Sequence, residues 1–191
     1  GHAEKTRPGV VRIVLGIVCV AFAAWMVPGL WGAPLKAISA FAPPMSTQRD
    51  ASEQDVRPLY DYDEAIDMAR RRNLPVVIDF TGYGCVNCRK MEAAVWTDPE
   101  VVRLLNESVV LVSLYGDDRT ALPQPMRVTD ESGTTTLTTV GQKWSYLQMH
   151  KFGSNTQPYY VMVDADGHPL QAPYGFDDNP RHFADWLQQK H

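Results

Sequence analysis

Hydrophobic and polar positions divide the chain into an apolar head and a longer body in which they alternate. Residues 13–35 read IVLGIVCVAFAAWMVPGLWGAPL and contain no charged side chain. About 20 apolar residues in a helix cross the hydrocarbon core of a bilayer, so this run predicts a transmembrane helix. Trp25 and Trp31 lie toward its far end, where amphipathic rings suit the membrane interface. Residues 1–12 then form a cytoplasmic or loop segment, and residues 36–58 form a linker.

Charges beside the apolar run predict its orientation. Lys5, Arg7 and Arg12 precede the run, and the positive-inside rule then places the N-terminus in the cytoplasm and the body outside it. A signal peptide is the alternative, although Ile38 disrupts the usual small-x-small cleavage pattern before Ala40. Both interpretations send the body to an oxidising compartment. The chain begins with Gly rather than Met, so we expect a fragment or a processed chain.

The body, residues 59–191, alternates predicted helices with predicted strands. Apolar residues at helical spacing, together with capping signals, predict helices at residues 61–72, 88–95, from 98 onward, 142–152 and 180–189. Short apolar runs predict strands at residues 75–80, 109–115, 159–163 and near Leu170. Residues 116–141 are a polar insertion, with a hairpin of their own as one possibility.

The order of these elements predicts an α/β fold. Strands separated by helices favour parallel pairs joined by right-handed crossovers. The last two predicted strands are joined by a tight turn and favour an antiparallel hairpin. The expected result is a small central mixed sheet flanked by helices on both faces.

Composition and charge narrow the function classes. The chain is 45% hydrophobic and 21% charged, with a net charge of -4, which is ordinary for a globular protein. Nucleic-acid binders need a basic footprint, so nucleic acid is not an expected partner. Residues 1–44 are net basic and residues 45–191 net acidic. Of the three cysteines, Cys19 is interpreted as a small hydrophobic residue buried in the span.

The candidate chemistry lies in the sequence Cys85-Val86-Asn87-Cys88, between a predicted strand and a predicted helix. Unpaired N–H groups and the positive end of the helix dipole favour the thiolate of the first cysteine. Cys85 is therefore the expected nucleophile, and Cys88, one turn into the helix, would resolve the mixed disulfide. Zinc is an alternative, but it usually takes four ligands and the histidines show no ligand spacing. A structural disulfide is another, but so short a loop gains little chain entropy.

Three further residues are candidates for roles beside the cysteine pair. Asp79 lies in an otherwise apolar strand, where burial would raise the pKa of its carboxyl and suit it to accept the Cys88 proton. A solvent-facing position at a strand edge is the alternative. Glu92 shares the helix face of Cys88, with a solvated carboxylate as the alternative. Pro158 opens a strand, either after a cis peptide bond or as an ordinary strand-opening proline.

These features together are similar to the thioredoxin fold, and four runs resemble one family more narrowly. They are VIDFTGYGCVNCRKME at residues 77–92, VWTDP at 95–99, GQKWS at 141–145 and QPYYVMVD at 157–164. These runs resemble the C-terminal domain of the thiol:disulfide interchange protein DsbD family, and the apolar helix resembles its last transmembrane segment. The resemblance covers about residues 10–190.

The resemblance implies a protein-disulfide reductase of the bacterial inner membrane with its thioredoxin-like domain in the periplasm. Such a domain takes electrons from a membrane-embedded dithiol and passes them to periplasmic disulfide proteins, including partners in cytochrome c biogenesis. Cys85 and Cys88 are then the redox pair, with no other cofactor and no metal. Asp79 and Glu92 match the acidic residues that tune the pair, and Pro158 matches the cis-proline beside it.

The sequence also departs from the thioredoxin pattern. Tyr83 and Gly84 precede the pair where tryptophan is common, and Gln157 stands where threonine often precedes the cis-proline. These residues border the substrate groove, so partner preference stays open. The insertion at residues 116–141 is a candidate cover for one side of the site. The family's other membrane helices and N-terminal domain are not in this chain, which is then a fragment of a transporter or a free-standing anchored thioredoxin.

Two other functions remain open on the sequence alone. A disulfide oxidase or isomerase would use the same pair with the opposite electron flow, and it would need a strongly stabilised thiolate. A non-enzymatic module could bind Cu(I) through Cys85 and Cys88, because soft thiolates suit that ion.

Overall fold

The computed structural model describes residues 9–26, 55–131 and 133–189. The chain forms two compact units, Gly1–Ser39 and Ala40–His191. The first contains helix α1 (Val10–Met26), on which the free Cys19 is exposed. Within the described residues, no helix combines the length and apolar character needed to cross a bilayer. The rest of the predicted span and most of the predicted linker lie outside the described residues.

The second unit contains the remaining elements in the order α2, β1, α3, α4, β2, β3, β4, α5, β5, α6. Their bounds are α2 Tyr62–Arg72, β1 Val76–Thr81, α3 Val86–Ala94, α4 Pro99–Glu107, β2 Val110–Tyr115, β3 Ala121–Asp130, β4 Gly133–Thr139, α5 Val140–Phe152, β5 Tyr159–Val163 and α6 Pro180–Leu187. Local capping explains several ends. Asp61 caps α2, which Asn73 ends in the left-handed conformation. Asp98 caps α4, with Pro99 in its first turn.

The central sheet is mixed, with the strand order β2-β1-β5. β1 runs parallel to β2 and antiparallel to β5, whereas the sequence favoured parallel pairing of strands separated by helices. β2 ends at Tyr115 beside Thr81, and β5 begins at Tyr159 beside Phe80. The chain between them therefore leaves and re-enters the sheet at the same end. A strand that enters where its neighbour ends runs opposite to that neighbour.

The structure has a hairpin in the insertion but no regular strand near Leu170. The insertion at residues 116–141 does contain a hairpin, with β3 antiparallel to β4. The strand predicted near Leu170 is instead a pair of isolated bridges to β5, from Pro169 to Val163 and from Tyr174 to Tyr160. Proline has no backbone N–H to donate to a sheet, and residue 169 is a proline, so a regular ladder is interrupted there.

The sheet separates two layers of buried apolar side chains. One layer packs Val76, Ile78 and Phe80 of β1 with residues of α2 and α5. The other packs Val77 with residues of α3, α4 and α6. Because side chains alternate along a strand, Asp79 and Thr81 belong to the same face as Val77. Two polar residues of the central strand therefore lie beneath the helix that follows the cysteine pair.

Candidate active site

The two cysteines of the CxxC sequence form a disulfide, with the sulfurs 2.06 Å apart. Cys85 is the N-cap of α3, and its sulfur accepts the backbone N–H of Cys88 at 3.2 Å. Cys85 is half-buried, whereas Cys88 is only 1% exposed. The helix end thus presents one accessible sulfur and screens the other, which is the arrangement that the sequence predicted.

Asp79 is buried in the central strand, with 1% of its surface exposed. The alternative of a solvent-facing strand edge is wrong, because β1 lies between β2 and β5. The Ser113 hydroxyl donates a hydrogen bond to Oδ2 of Asp79 at 2.9 Å. The other oxygen, Oδ1, has no hydrogen-bond partner among the described residues. Burial raises the pKa of the carboxyl to about 7, and the Ser113 hydrogen bond and the charge of Arg89 oppose this rise.

Glu92 lies one turn after Cys88 on α3 and is 6% exposed, so it is not the solvated helix carboxylate of the alternative interpretation. Its Oε2 accepts a hydrogen bond from Nη1 of Arg89 at 2.6 Å. Burial raises its pKa to about 8, and the nearby charge of Asp79 adds to the rise while Arg89 opposes it. The structure therefore places two carboxyl groups with raised pKa values on the inner side of α3.

Arg89 is a buried part of the site that sequence reasoning did not single out. It is 3% exposed, and its Nη2 donates to Oγ1 of Thr81 at 3.0 Å and to the carbonyl of Gly82 at 3.4 Å. Its guanidinium carbon lies 6.0 Å from the ring centroid of Tyr115. The only local signal was its spacing from Glu92. A pair three residues apart on a helix is usually solvated, and spacing alone does not reveal burial.

Asp117 is the second site residue that sequence reasoning missed. Its two carboxylate oxygens accept the backbone N–H groups of Tyr83 at 2.8 Å and Gly84 at 2.9 Å. Tyr83 is 50% exposed, and its ring stacks on that of Tyr115 with the ring centroids 4.1 Å apart. The beginning of the insertion therefore holds the loop that precedes Cys85. Nothing in the local sequence indicates this long-range contact.

The peptide bond between Gln157 and Pro158 is cis, which excludes the ordinary strand-opening alternative, and Pro158 is buried. The Gln157 side chain occupies a narrow space. A Cβ added to Gly82 would lie 2.9 Å from its Oε1, and one added to Gly116 would lie 2.7 Å from its Nε2. Two glycines therefore leave room for the Gln157 amide between the loop before Cys85 and the end of β2.

The described residues do not form a conventional multi-ligand metal site. Within the described residues, no group of three or more His, Cys, Asp or Glu side chains is arranged to hold a metal. The Cu(I) hypothesis concerns the reduced forms of Cys85 and Cys88, whereas here the two sulfurs are bonded to each other. That hypothesis stays a prediction.

A family model and two solved structures support this fold, and a third solved structure is similar at a lower TM-score. A family model described as a thioredoxin-like domain matches residues 62–191. The DsbH oxidoreductase structure has a TM-score of 0.52 and 19% identity, covering 77% of this chain and 93% of that one. A Thermus thermophilus thioredoxin has a TM-score of 0.50 and 22% identity, covering 70% and 86%. The oxidised DsbD C-terminal domain of Neisseria meningitidis has a TM-score of 0.47 and 21% identity, covering 71% and 100%. No curated protein matches significantly.

Structural likeness at these identities concerns the fold, so membership of the DsbD family stays a prediction. The roles assigned to Asp79, Glu92 and Pro158 also stay predictions, although their positions are now defined. The family match covers more than half of the chain and agrees with the mixed sheet and with the disulfide at the start of α3. The chain therefore belongs to the thioredoxin-like domain family and carries a Cys85–Cys88 disulfide at the start of α3.

Proposed function

We propose that this chain is a membrane-tethered protein-disulfide reductase. Its dithiol takes electrons from a membrane-embedded dithiol and gives them to periplasmic disulfide proteins, including partners in cytochrome c biogenesis. The observation that carries the proposal is the state of the pair. Cys85 is half-buried at the N-cap of α3 and bonded to Cys88, which is screened one turn inside.

The chemistry is a two-step thiol–disulfide exchange. In the reduced protein, the Cys85 thiolate attacks a partner disulfide, so a mixed disulfide forms and one partner thiolate leaves. Cys88 then loses its proton, and its thiolate attacks the Cys85 sulfur. The Cys85–Cys88 bond forms, the second partner thiolate leaves, and two electrons have passed to the partner. The N–H of Cys88, which points at the Cys85 sulfur, is positioned to stabilise the first thiolate.

The two buried carboxyl groups favour the reducing direction. Burial raises the pKa of Asp79 to about 7 and that of Glu92 to about 8, so both groups gain negative charge around neutral pH. Negative charge near a thiol disfavours its thiolate, whereas strong disulfide oxidants stabilise the thiolate. Arg89 offsets part of this effect. The balance supports a reductant more than an oxidase.

The sequence supports the cellular setting of the proposal. The uncharged residues 13–35, with basic residues before them, are typical of a span whose N-terminus is cytoplasmic. The thioredoxin-like domain would then lie in the periplasm of a bacterium, anchored in the inner membrane. The membrane dithiol as donor and the periplasmic disulfide proteins as acceptors are proposed from the resemblance to the DsbD family.

Trapping of a mixed disulfide tests the proposal. The test uses a Cys19→Ala background, so that only the cysteine pair can react. With a reductant supplying electrons to the chain, Cys88→Ala is expected to accumulate a mixed disulfide on Cys85. The matched Cys85→Ala variant should accumulate less, because its remaining thiol is screened. Failure of Cys88→Ala to trap any partner contradicts the proposal.

Two other measurements would favour the alternative functions. A Cys85 pKa of about 4 in the reduced protein, as in strong oxidants, would indicate the opposite electron flow, that of an oxidase. Stoichiometric copper after purification, with no disulfide formed by a mild oxidant, would support the Cu(I) module instead.

A further inference from the structure

Arg89 is the centre of a buried polar cluster that the proposed exchange does not yet use. Among the described lysines and arginines, Arg89 alone is buried. It connects the two segments on either side of the cysteine pair, because it bonds Thr81 and Gly82 before the pair and Glu92 after it. A buried charge is costly unless it is paired and hydrogen-bonded. Arg89 is paired with Glu92 and hydrogen-bonded through both Nη atoms, whereas its buried Nε has no hydrogen-bond partner among the described residues.

The charges of the cluster do not balance when every group is ionised. Arg89 supplies one positive charge, and the two acids, Asp79 and Glu92, supply two negative charges in a buried space. Burial raises the pKa of each acid, and the charge of Asp79 raises the pKa of Glu92 further. Arg89 acts in the opposite direction on both acids. A single ionised carboxylate beside Arg89 leaves the cluster neutral.

The other groups that face the cluster are uncharged near neutral pH. Burial raises the pKa of Tyr115 and of Tyr160, so both phenols stay protonated. Thr81 and Ser113 contribute neutral hydroxyls. These groups come from β1, β2 and β5, the three strands beneath α3. Arg89 is therefore the charged group that opposes protonation of both acids, and at Asp79 the Ser113 hydrogen bond acts in the same direction.

We propose that Arg89 is a positioning residue that keeps one of the buried carboxyl groups, Asp79 or Glu92, ionised at neutral pH, so that the site retains a base for the Cys88 proton. This inference rests on the proposed thiol–disulfide exchange. In the second step, the Cys88 thiol gives its proton to the carboxylate, and the resulting thiolate attacks the Cys85 sulfur. The carboxylic acid then returns the proton to the departing partner thiolate, so the base is regenerated.

Titration of the Asp79 carboxyl carbon tests the inference without relying on activity. The full chain with its disulfide intact is labelled with ¹³C at the side-chain carboxyl carbons, and the titration is followed by NMR. Arg89→Met is expected to raise the titration midpoint by at least one pH unit, a tenfold change in proton affinity. Arg89→Lys, which keeps the positive charge, should stay closer to the unmodified protein. Unchanged midpoints of both Asp79 and Glu92 in Arg89→Met, or equal shifts in the Met and Lys variants, overturn the inference.

Arg103 offers a matched control. Like Arg89, it bonds a glutamate three residues away on its own helix. Its partner is Glu100 at 2.8 Å, and this pair is exposed on α4. Arg103→Met should leave the Asp79 midpoint unchanged, and a shift like that of Arg89→Met would overturn the inference, since the effect would then not depend on burial beside the acids.

A second pair of variants covers the case in which Arg89→Met does not fold, because removing one partner of a buried ion pair is strongly destabilising. Glu92→Gln is compared with the double variant Arg89→Met/Glu92→Gln, which removes both partners together. The Asp79 midpoint should be higher in the double variant than in Glu92→Gln. Equal midpoints overturn the inference.

The pH profile of exchange separates this inference from the proposed function. If the chain is a reductase, the acidic limb of its rate–pH profile should move to higher pH in Arg89→Met by the same amount as the carboxyl titration. Arg89→Lys should move that limb back in part. If the unmodified chain exchanges no disulfide at any pH, the proposed function fails while the titration still decides the charge-balancing role of Arg89. A shifted titration with an unshifted rate profile overturns the assignment of the carboxylate as the base.

Discussion

The Asp117 carboxylate accepts the backbone N–H of Gly84 at 2.9 Å, although 33 residues separate them in the sequence. The other carboxylate oxygen accepts the N–H of Tyr83 at 2.8 Å. Both N–H groups belong to the two residues directly before Cys85. The first turn of the insertion thus holds the loop that precedes Cys85.

Asp117→Ala is expected to loosen this loop. Two hydrogen bonds to a charged acceptor are lost, and because they lie at the surface we expect a loss of about 1–2 kcal/mol in the free energy of unfolding. Exchange with a small disulfide should slow several-fold, because Cys85 is less well positioned. Urea denaturation and stopped-flow kinetics measure the two effects. Asp117→Asn keeps one good acceptor and should be intermediate.

The neighbouring Asp118 supplies the control for this prediction. Its carboxylate accepts the nearby N–H of Thr120 at 2.8 Å rather than a group of the loop before Cys85. If Asp118→Ala slows exchange as much as Asp117→Ala, the loop contact is not the cause.

Asp79→Asn is expected to change how stability depends on pH. The folded-state pKa of about 7 lies above the usual 3.8, so the folded protein holds a proton that the unfolded chain has lost. This contribution to stability is fully present below pH 3.8 and disappears as pH rises through 7. Asparagine stays neutral throughout. The stability advantage of the variant over the unmodified protein should therefore grow by about 2.5 kcal/mol from pH 5 to pH 8.

Urea denaturation of the oxidised proteins at the two pH values measures this difference. Glu92 contributes in the same direction in both proteins, but less in the variant, because the charge of Asp79 no longer raises its pKa. Asp67→Asn, on the exposed side of α2, should show no such pH-dependent gain. A difference between Asp79→Asn and the unmodified protein that is equal at both pH values would show that the Asp79 carboxyl is not held protonated by the fold.

Tyr83→Ala is expected to weaken binding of protein partners while sparing the chemistry. Tyr83 is half exposed, its ring rests on Tyr115, and it lies two residues before Cys85. An exposed aromatic residue so near the pair is well placed to contact a partner. KM for a protein disulfide should rise about tenfold. The rate with a small-molecule disulfide should change by less than about twofold, since α3 and its N-cap are intact.

Tyr146 provides a comparison, because its ring stacks on His150 of α5 rather than beside the pair. Tyr146→Ala should leave both rates unchanged. Equal losses with protein and small disulfides in Tyr83→Ala would instead indicate a distorted loop.

Gly141→Ala is expected to destabilise the fold by about 1–3 kcal/mol through overpacking. An added Cβ would lie 2.6 Å from the carbonyl oxygen of Gly116 and 2.7 Å from the backbone nitrogen of Asp118. Both are backbone atoms, so a side-chain rotation cannot relieve the clash. Thermal unfolding measures the loss. Gly175→Ala, whose Cβ would meet nothing within 4 Å, should be nearly neutral, and a similar loss there would contradict the packing argument.

The sequence predicted much of the fold because its signals are local. Asp98 and Pro99 predict the start of α4, and the β-branched and apolar run that ends at Tyr115 predicts β2. The placement of Cys85 at a helix start follows in the same way, because the strand, the turn and the helix are consecutive. These elements depend on capping and periodicity within a few residues.

The prediction was less complete where distant segments meet. The antiparallel direction of β5 was not foreseen, because it depends on where the chain from Tyr115 to Tyr159 re-enters the sheet. The strand near Leu170 was predicted from its apolar pattern, but the structure has only isolated bridges there. In both cases the local pattern does not determine which partner backbone is within reach.

By itself, the sequence located a cysteine pair with redox spacing at a helix start, and it singled out Asp79 because a carboxyl in an apolar strand is costly. Tertiary structure alone decided the surroundings of the pair. It buried Arg89 against Glu92 and Thr81, and it brought Asp117 to the loop before Cys85. The physical reason is that burial and long-range hydrogen bonds depend on which surfaces the packed sheet and helices bring together.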